Sequence, residues 1–319
     1  MKKAATLQSV KTKSAKAGAE KDGTLVIENI EVNITNRNKI YWPAEGITKG
    51  MVIDYYQSIA EYILPYLKDR PESLKRNPNG ILDKGFYHKD AGNEAPSWVQ
   101  RIAIYSESAK KNIDYIVCNN KATLAYLNNL GCIELNPWNS RIRSLDKPDY
   151  MIIDIDPSPK NTFEQVIETA VAFRELLEKI GAISFCKTSG ATGLHIYVPT
   201  EKKYLYEQVR HFGEILCNIV NKQLSKFTSV ERNLQKRGNK IYLDYLQNSR
   251  GQTIASVYSL RPHIGATVST PLLWKEVKTG MLASEFNIFT VPKRLHEIND
   301  IFIGVLGKGI DLQKCLEKL

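Results

Sequence analysis

Hydrophobic positions along this chain recur with two different periods, and the switches between them mark out its elements. From Thr24, the string Thr-Leu-Val-Ile-Glu-Asn-Ile-Glu-Val predicts one strand or two short ones. Ile47 to Pro65 places apolar residues at helical spacing, with Thr48 as its cap. A Pro/Gly/Asn-rich connection at 77–80 then precedes Gly85-Phe-Tyr-His-Lys. Residues 113–135 predict a strand followed by a helix from Ala122 to Leu130, which Gly131 closes. Tyr150 to Asp156 is an apolar strand, and Thr162 to Ile180 a strongly amphipathic helix ending at Gly181. Short strands follow from Ile183 and from Leu194, then a helix from Tyr206 to Leu224, a strand from Lys240 to Leu246 and another from Ile254 to Ser259. Across 150–246 the order is strand, helix, strand, strand, helix, strand, which is that of a ferredoxin-like or RNA-recognition-type sheet.

Residues 1–22 carry neither period. Six lysines there face one Glu and one Asp among Ala, Ser, Thr and Gly, so the segment 1–23 is expected to be a disordered basic tail or linker. The remaining 24–319 is long enough to bury a sizeable core: an N-terminal lobe at 24–149, a sheet at 150–265 and a C-terminal extension at 266–319. Charge changes the picture more than length does. Forty-four Lys and Arg against thirty-four Asp and Glu give a net +10, of which about +6 lies outside the tail. That excess suits a polyanionic partner such as nucleic acid. The five cysteines, 118, 132, 186, 217 and 315, never form Cys-x-x-Cys, so no disulfide framework or cysteine zinc site is expected. With no membrane-length apolar run and no apolar centre of a secretion signal, the chain is expected in the cytoplasm.

Three strings carry candidate chemistry. In Tyr150-Met-Ile-Ile-Asp-Ile-Asp-Pro, strand alternation points Asp154 and Asp156 one way and Ile153 and Ile155 the other. Two adjacent carboxylates repel unless a cation sits between them, and hard oxygen ligands suit a divalent metal; a strand running into an ordinary turn is the bland alternative. Lys187-Thr-Ser-Gly-Ala-Thr-Gly-Leu-His195 is a glycine-bearing turn whose amides, lysine and Ser189 hydroxyl suit a triphosphate cradle, although any turn between strands uses glycine. Asp244, alone in an apolar strand, needs a metal, a hydrogen-bond donor or an arginine, with Arg250 and Arg261 near in sequence. Three such carboxylates, converging within a shared-metal distance, are what two-metal phosphoryl transfer requires.

Asp-Ile-Asp-Pro at 154–157, Lys-Thr-Ser-Gly-x-x-Gly-Leu-His at 187–195, Leu-Asp-Tyr at 243–245, Tyr-Ser-Leu-Arg at 258–261 and Val-Ser-Thr-Pro-Leu-Leu-Trp at 268–274 together resemble the polymerase domain of bacterial ligase D, a branch of the archaeo-eukaryotic primase superfamily. The ordered set is specific where each string alone is modest, and it extends from about Thr35 past Trp274. The resemblance implies an α+β, two-lobed primase-like fold and a template-directed nucleotidyltransferase that adds NTPs or dNTPs to DNA ends in non-homologous end joining. It implies that Asp154, Asp156 and Asp244 ligate two divalent cations, Mn or Mg. Ser189, His195 and Arg261 would hold the triphosphate, aided by Lys75 or Arg76, with Asn136 beside the nucleotide. Lys39 and Lys49 would take the 5′-phosphate of a gapped or broken end, and Phe86 and Tyr87 would stack near the templating base.

Two positions depart from the family pattern. Asn136 stands where many relatives carry His, and Thr192 where the turn often carries Lys, so the presumed triphosphate site has one positive charge fewer. No Lys-x-Asp-Gly ligase signature occurs, so this chain is not expected to seal nicks itself; the resemblance implies a separate ligase and a Ku-like end binder as partners. The same carboxylates would equally serve a two-metal nuclease or phosphoesterase, and the basic surface a non-catalytic end-binding module.

Overall fold

A computed structural model describes residues 22–92 and 94–319. Residues 1–21, the bulk of the expected tail, lie outside it, but its last two residues belong to the fold. Asp22 accepts hydrogen bonds from the amides of Asn36 and Arg37, and Gly23 opens the strand Gly23–Ile27, which pairs with Ile30–Ile34.

The large sheet has six strands. Its centre follows the predicted ferredoxin-like order: Ile241–Asp244, Tyr150–Asp156, Leu194–Pro199 and Phe185–Thr188 lie side by side, all antiparallel. Thr228–Ser229 and Pro271–Leu272 extend its two edges. Alternation along the aspartate strand divides it cleanly. Met151, Ile153 and Ile155 face a core made with the helices Phe163–Lys179 and Tyr206–Gln223, while Tyr150 and Ile152 face a second core shared with the N-terminal lobe. The first of those helices begins with a capping box between Thr162 and Gln165, and Gly181 follows it in the left-handed region at φ +76°.

The N-terminal lobe contributes a three-stranded sheet in the order Phe86–His88, Glu72–Arg76, Cys132–Pro137. The helix expected from Ile47 to Pro65 is divided: Lys49–Ser58, capped by Thr48, and Ala60–Leu67 meet at Ile59, where the Ser58 hydroxyl takes the Tyr55 carbonyl. A second expectation fails outright. Residues 255–259 are buried and Ile254 half-buried, but they form no strand, because Tyr258 lies at φ +63° and the backbone is satisfied by other parts of the chain. The Ser256 amide bonds to Leu135 O, the Leu260 amide to the Tyr56 hydroxyl, and the Tyr55 hydroxyl to Tyr258 O. The C-terminal residues close the two lobes together: Asp300 accepts from the hydroxyls of Tyr66 and Tyr258, and Phe302 packs on Tyr66, Phe185 and Tyr197.

The ladder between the aspartate strand and its Ile241–Asp244 neighbour covers only Asp154 to Asp156. Below it, the buried side chain of Asn248 substitutes for a strand, accepting from Ile152 N at 2.8 Å and donating to Ile152 O at 2.6 Å. Asn248→Ala strands both backbone groups in a dry environment, and we expect a loss of roughly 2–4 kcal/mol. Denaturant unfolding followed by circular dichroism measures it; a change within 0.5 kcal/mol, the ordinary range for an uninvolved surface position, would dismiss this role.

Candidate active site

Register places a row of four titratable side chains on one face of the large sheet. Lys187 lies opposite His195, His195 opposite Asp154, and Asp154 opposite Asp244, so all four project the same way, with Asp156 two residues along. A second row faces them from the small sheet, where Lys75 lies opposite both Tyr87 and Glu134. Between the rows is a cleft of about 170 Å³ lined by Tyr87, Glu134, Asn136, Asp154, Asp156, Ser189, His195 and Arg261, among others.

Burial beside its neighbours makes Asp154 costly to ionise. Desolvation, then the charges of Asp156 and Asp244, push it up to about 8 from 3.8. Asp156 is raised for the same first reason and by Asp244, against Arg237, which also covers the Tyr242 ring at 4.4 Å. Burial raises Asp244 too, against hydrogen bonds from Leu246 N at 2.8 Å and Gln247 Nε2 at 3.1 Å. Neither arginine proposed for it from sequence proximity is its partner: Arg250 pairs with Asp146 and Arg261 with Glu134.

The three carboxylates thus share a face, but their oxygens do not converge. Among the described residues no three His, Cys, Asp or Glu side chains stand together closely enough to enclose a metal. Asp154 and Asp156 open into the cleft, whereas Asp244 lines an adjoining depression of about 310 Å³ with Arg210, Arg232, Gln247 and Gln252. The donor chemistry still fits a hard divalent cation. Asp154 is an under-compensated buried carboxylate, and a cation is the ordinary remedy for it.

The glycine turn differs from its reading in sequence. Ser189 Oγ accepts from the amides of Ala191 and Gly193, so those two amides are taken. Its glycines serve close packing within the protein: a Cβ on Gly190 would stand 2.6 Å from Arg261 Cγ, and one on Gly193 2.2 Å from Ile155 O. Lys187 does not reach a cradle at all, being fully buried behind His195. Arg261 does reach the cleft. Its Nε donates to the buried Glu134 at 2.7 Å and its Nη1 to Ser189 O, which leaves other guanidinium donors for a ligand. Glu134 is a cleft-lining side chain that motif reading passed over; its place two residues before Asn136 on a strand, hence on the same face, was the available signal.

The remaining candidates flank the cleft. Phe86 and Tyr87 are 48% and 59% exposed, so they are not core residues. Cations lie over both rings, Arg76 over Phe86 at 5.3 Å and Lys75 over Tyr87 at 4.9 Å. Lys75 donates to Gly85 O and is outside the cleft lining; Arg76 donates to Leu130 O. Lys39 and Lys49 are brought together by a hairpin in which Lys49 N donates to Lys39 O. Lys39 is exposed and reaches Asn79, whereas Lys49 is buried against Thr35 O and Asn129 Oδ1. Burial lowers Lys49 to about 8, and Lys39 beside it adds to that.

A family described as LigD, primase-polymerase domain, matches residues 48–302. Among curated proteins, the bifunctional non-homologous end joining protein LigD of Bacillus subtilis is 31% identical over 83% of this chain and 42% of its own length. The multifunctional non-homologous end joining protein LigD of Pseudomonas aeruginosa is 28% identical over 90% of this chain and 33% of its own. The chain therefore spans less than half of the curated relatives it matches. Among solved structures, the polymerase domain from Mycobacterium tuberculosis ligase D in complex with DNA aligns with a TM-score of 0.81 and 26% identity, over 88% of this chain and 99% of that one.

Asp154 also links stability to pH. The native state keeps its proton up to about pH 8, while the unfolded chain releases it near 3.8. The native state thus binds more protons in that window, and the contribution of Asp154 to stability declines as pH rises through it. Without divalent cations, Asp154→Asn is expected to be more stable than wild type at pH 8, by at least ~1 kcal/mol, with the difference shrinking toward pH 4. Thermal unfolding in chelator at the two pH values tests this, and a difference that does not change with pH refutes it.

Proposed function

The chain belongs to the LigD primase-polymerase family, and from that premise we propose that it is a template-directed nucleotidyltransferase adding NTPs or dNTPs to DNA 3′ ends, in gap filling and non-homologous end joining. The observation that carries the reading is the cleft itself, where Asp154 and Asp156 line one side and Ser189, His195, Asn136 and Arg261 stand around them. A carboxylate pair facing an arginine is suited to a triphosphate bound with divalent cations. Two such cations, Mn or Mg, held by Asp154, Asp156 and Asp244, would supply an activated 3′-hydroxyl and a neutralised pyrophosphate. For that, the Asp244 carboxylate must leave Leu246 N and Gln247, because those bonds direct it to the adjoining depression.

The protein side of the reaction is then positioning. Arg261, oriented by Glu134, offers its free donors to the phosphates, and the neutral His195, kept uncharged by burial, donates a hydrogen bond there. Asn136 hydrogen-bonds the nucleotide without adding charge. Exposed Phe86 and Tyr87 stack on bases at the template, stiffened by the cations above them. Exposed Lys39 receives a 5′-phosphate, Lys49 joins it only by leaving Thr35 O and Asn129 Oδ1, and Arg76 and Lys75 add positive potential along the path. Arg210 and Arg232 bring the primer end to Asp244 from the far side. In the cell, a Ku-like end binder and a ligase complete the repair.

Incubating the purified chain with Mn, labelled nucleotide and a primer-template bearing a 5′-phosphate gap decides among reaction classes. Primer extension is the expected result; shortening of the strand, or a gel shift without chemistry, would overturn the assignment. Asp154→Asn and Asp156→Asn should each lower extension at least ~100-fold, the scale of lost transition-state electrostatics, while DNA is still bound. Lys39→Ala should remove the preference for a 5′-phosphorylated gap and reduce the salt dependence of binding by about one counterion.

A further inference from the structure

Tyr258 is the one aromatic residue among the described ones whose backbone lies in the left-handed region, at φ +63°; the other non-glycine residues there are Asn, Asp, Glu, Lys and Ala. That region crowds the Cβ of an L residue, so a buried tyrosine stays in it only when its surroundings hold it there. Four contacts do. Its amide donates to Ser269 O at 2.8 Å, and its carbonyl accepts from the Tyr55 hydroxyl at 2.8 Å. Its ring stands edge-on to Tyr66 at 6.1 Å, and its hydroxyl donates to Asp300 Oδ1 at 2.7 Å. Asp300 is saturated in turn, with Oδ1 also accepting from Phe302 N at 3.0 Å and Oδ2 from the Tyr66 hydroxyl at 2.6 Å. Burial, then the Asp300 charge, hold both phenols well above their ordinary value, so each keeps a proton to give.

Three residues after this bend comes Arg261, the guanidinium of the cleft. Between them the chain runs beside 267–269: Ser269 N donates to Ser259 O at 2.9 Å and Arg261 N to Thr267 O at 2.8 Å. With Tyr258 in the right-handed region, the chain on one side of it would swing away, and either the Tyr258 amide would lose Ser269 or the Arg261 amide would lose Thr267. We propose that Tyr258 and Asp300 are positioning residues, whose hydroxyl–carboxylate bond locks the bend that delivers the Arg261 guanidinium to the cleft. Neither side chain lines the cleft, so the C-terminal segment contributes to ligand binding without touching the ligand. That Arg261 meets a nucleotide triphosphate rests on the nucleotidyltransferase reading; the lock on its backbone does not. Tyr66 supplies the contrast. It donates to the same carboxylate, but it belongs to the helix Ala60–Leu67 and has no place in the segment that leads to Arg261.

Primer extension by the full chain at varied nucleotide concentration tests this. Tyr258→Phe and Asp300→Ala should each raise KM for nucleotide about tenfold, the size of one charged hydrogen bond, with kcat changed far less. Because both act through one bond, the double variant should go no further than Asp300→Ala alone. Asp300→Asn should keep the wild-type KM, since the Phe302 amide holds the side-chain oxygen toward Tyr258 while the new NH2 donates to the Tyr66 hydroxyl. Tyr66→Phe should lower the melting temperature as Tyr258→Phe does, yet leave KM alone. A wild-type KM in both Tyr258→Phe and Asp300→Ala would overturn the proposal. So would a Tyr66→Phe that raises KM as much as Tyr258→Phe, because loosened lobe packing then accounts for both. Should Tyr258→Phe fail to fold, the two Asp300 variants decide: a KM raised in the alanine and not in the asparagine counts for the lock, and equal values count against it. If the wild-type protein extends no primer, the nucleotidyltransferase reading fails, and equilibrium binding of labelled ATP with Mg judges the lock separately. Weaker binding by Tyr258→Phe than by Tyr66→Phe supports it, and equal binding refutes it.

Discussion

Everything at this site depends on keeping a row of ionisable side chains in register across an antiparallel sheet. Lys187, His195, Asp154 and Asp244 each occupy the position opposite the last, so the row exists only in one alignment. Slipping one strand by a single residue would send its member of the row into the helix-facing core and bring a core-facing neighbour, such as Ile153 beside Asp154 or Leu243 beside Asp244, out in exchange. The apolar residues of the opposite face therefore specify the site as much as the polar ones do. Met151, Ile153 and Ile155 are completely buried, and no alternative register satisfies them. Asn248 prolongs the pairing where the ladder stops, which ties down the middle of the aspartate strand just before its charged end.

That constraint was largely visible in the sequence. The alternation of Ile with Asp assigned faces to Asp154 and Asp156, and the amphipathic spacing from Thr162 marked where the crossover helix begins. The strand and helix order across 150–246 was enough to give the sheet topology, because connection rules leave few ways to arrange it. What the sequence concealed has a common cause: it lies in side-chain contacts between distant segments. Glu134 and Arg261 are 127 residues apart, and nothing local about either announces an ion pair. Lys187 looked like a phosphate ligand because lysines beside glycine turns often are, and only the depth of its strand within the sheet removes it from solvent.

The segment from Ile254 to Arg261 shows a different failure of local reasoning. Its composition has the apolar character of a strand, and burial, which such composition does forecast, was achieved. Pairing was reduced to an isolated bridge between Leu260 and Val268 with backbone bonds to Thr267 and Ser269, and the N-terminal lobe supplies the remaining partners through side chains. Tyr55 and Tyr56 reach Tyr258 O and Leu260 N, and Trp42 reaches His263 O. Arg261 is thus held by one lobe and reaches over a turn belonging to the other, with Gly190 removing the Cβ that would collide with it. The placement of this guanidinium is a property of the joined lobes and could not reside in either alone.

The carboxylates by themselves do not distinguish a polymerase from an enzyme that hydrolyses phosphodiesters, since both reactions develop negative charge on oxygens around a phosphorus, which carboxylate-held cations can neutralise. The discrimination comes from what surrounds them. Hydrolysis needs room for a water opposite the leaving group and little else, whereas nucleotidyl transfer must hold a polyanionic triphosphate and a base at once. Here the wall facing the carboxylates is a guanidinium pinned by a buried glutamate, and beside it stand two half-exposed aromatic rings with cations over them. Exposing such rings is unfavourable for folding unless a partner covers them, and a flat π-system is the partner their geometry suits. The Arg261 guanidinium and the Tyr87 ring both line one cleft, with Phe86 beside it, which is an arrangement that a nucleotide, with its phosphates at one end and base at the other, would fill.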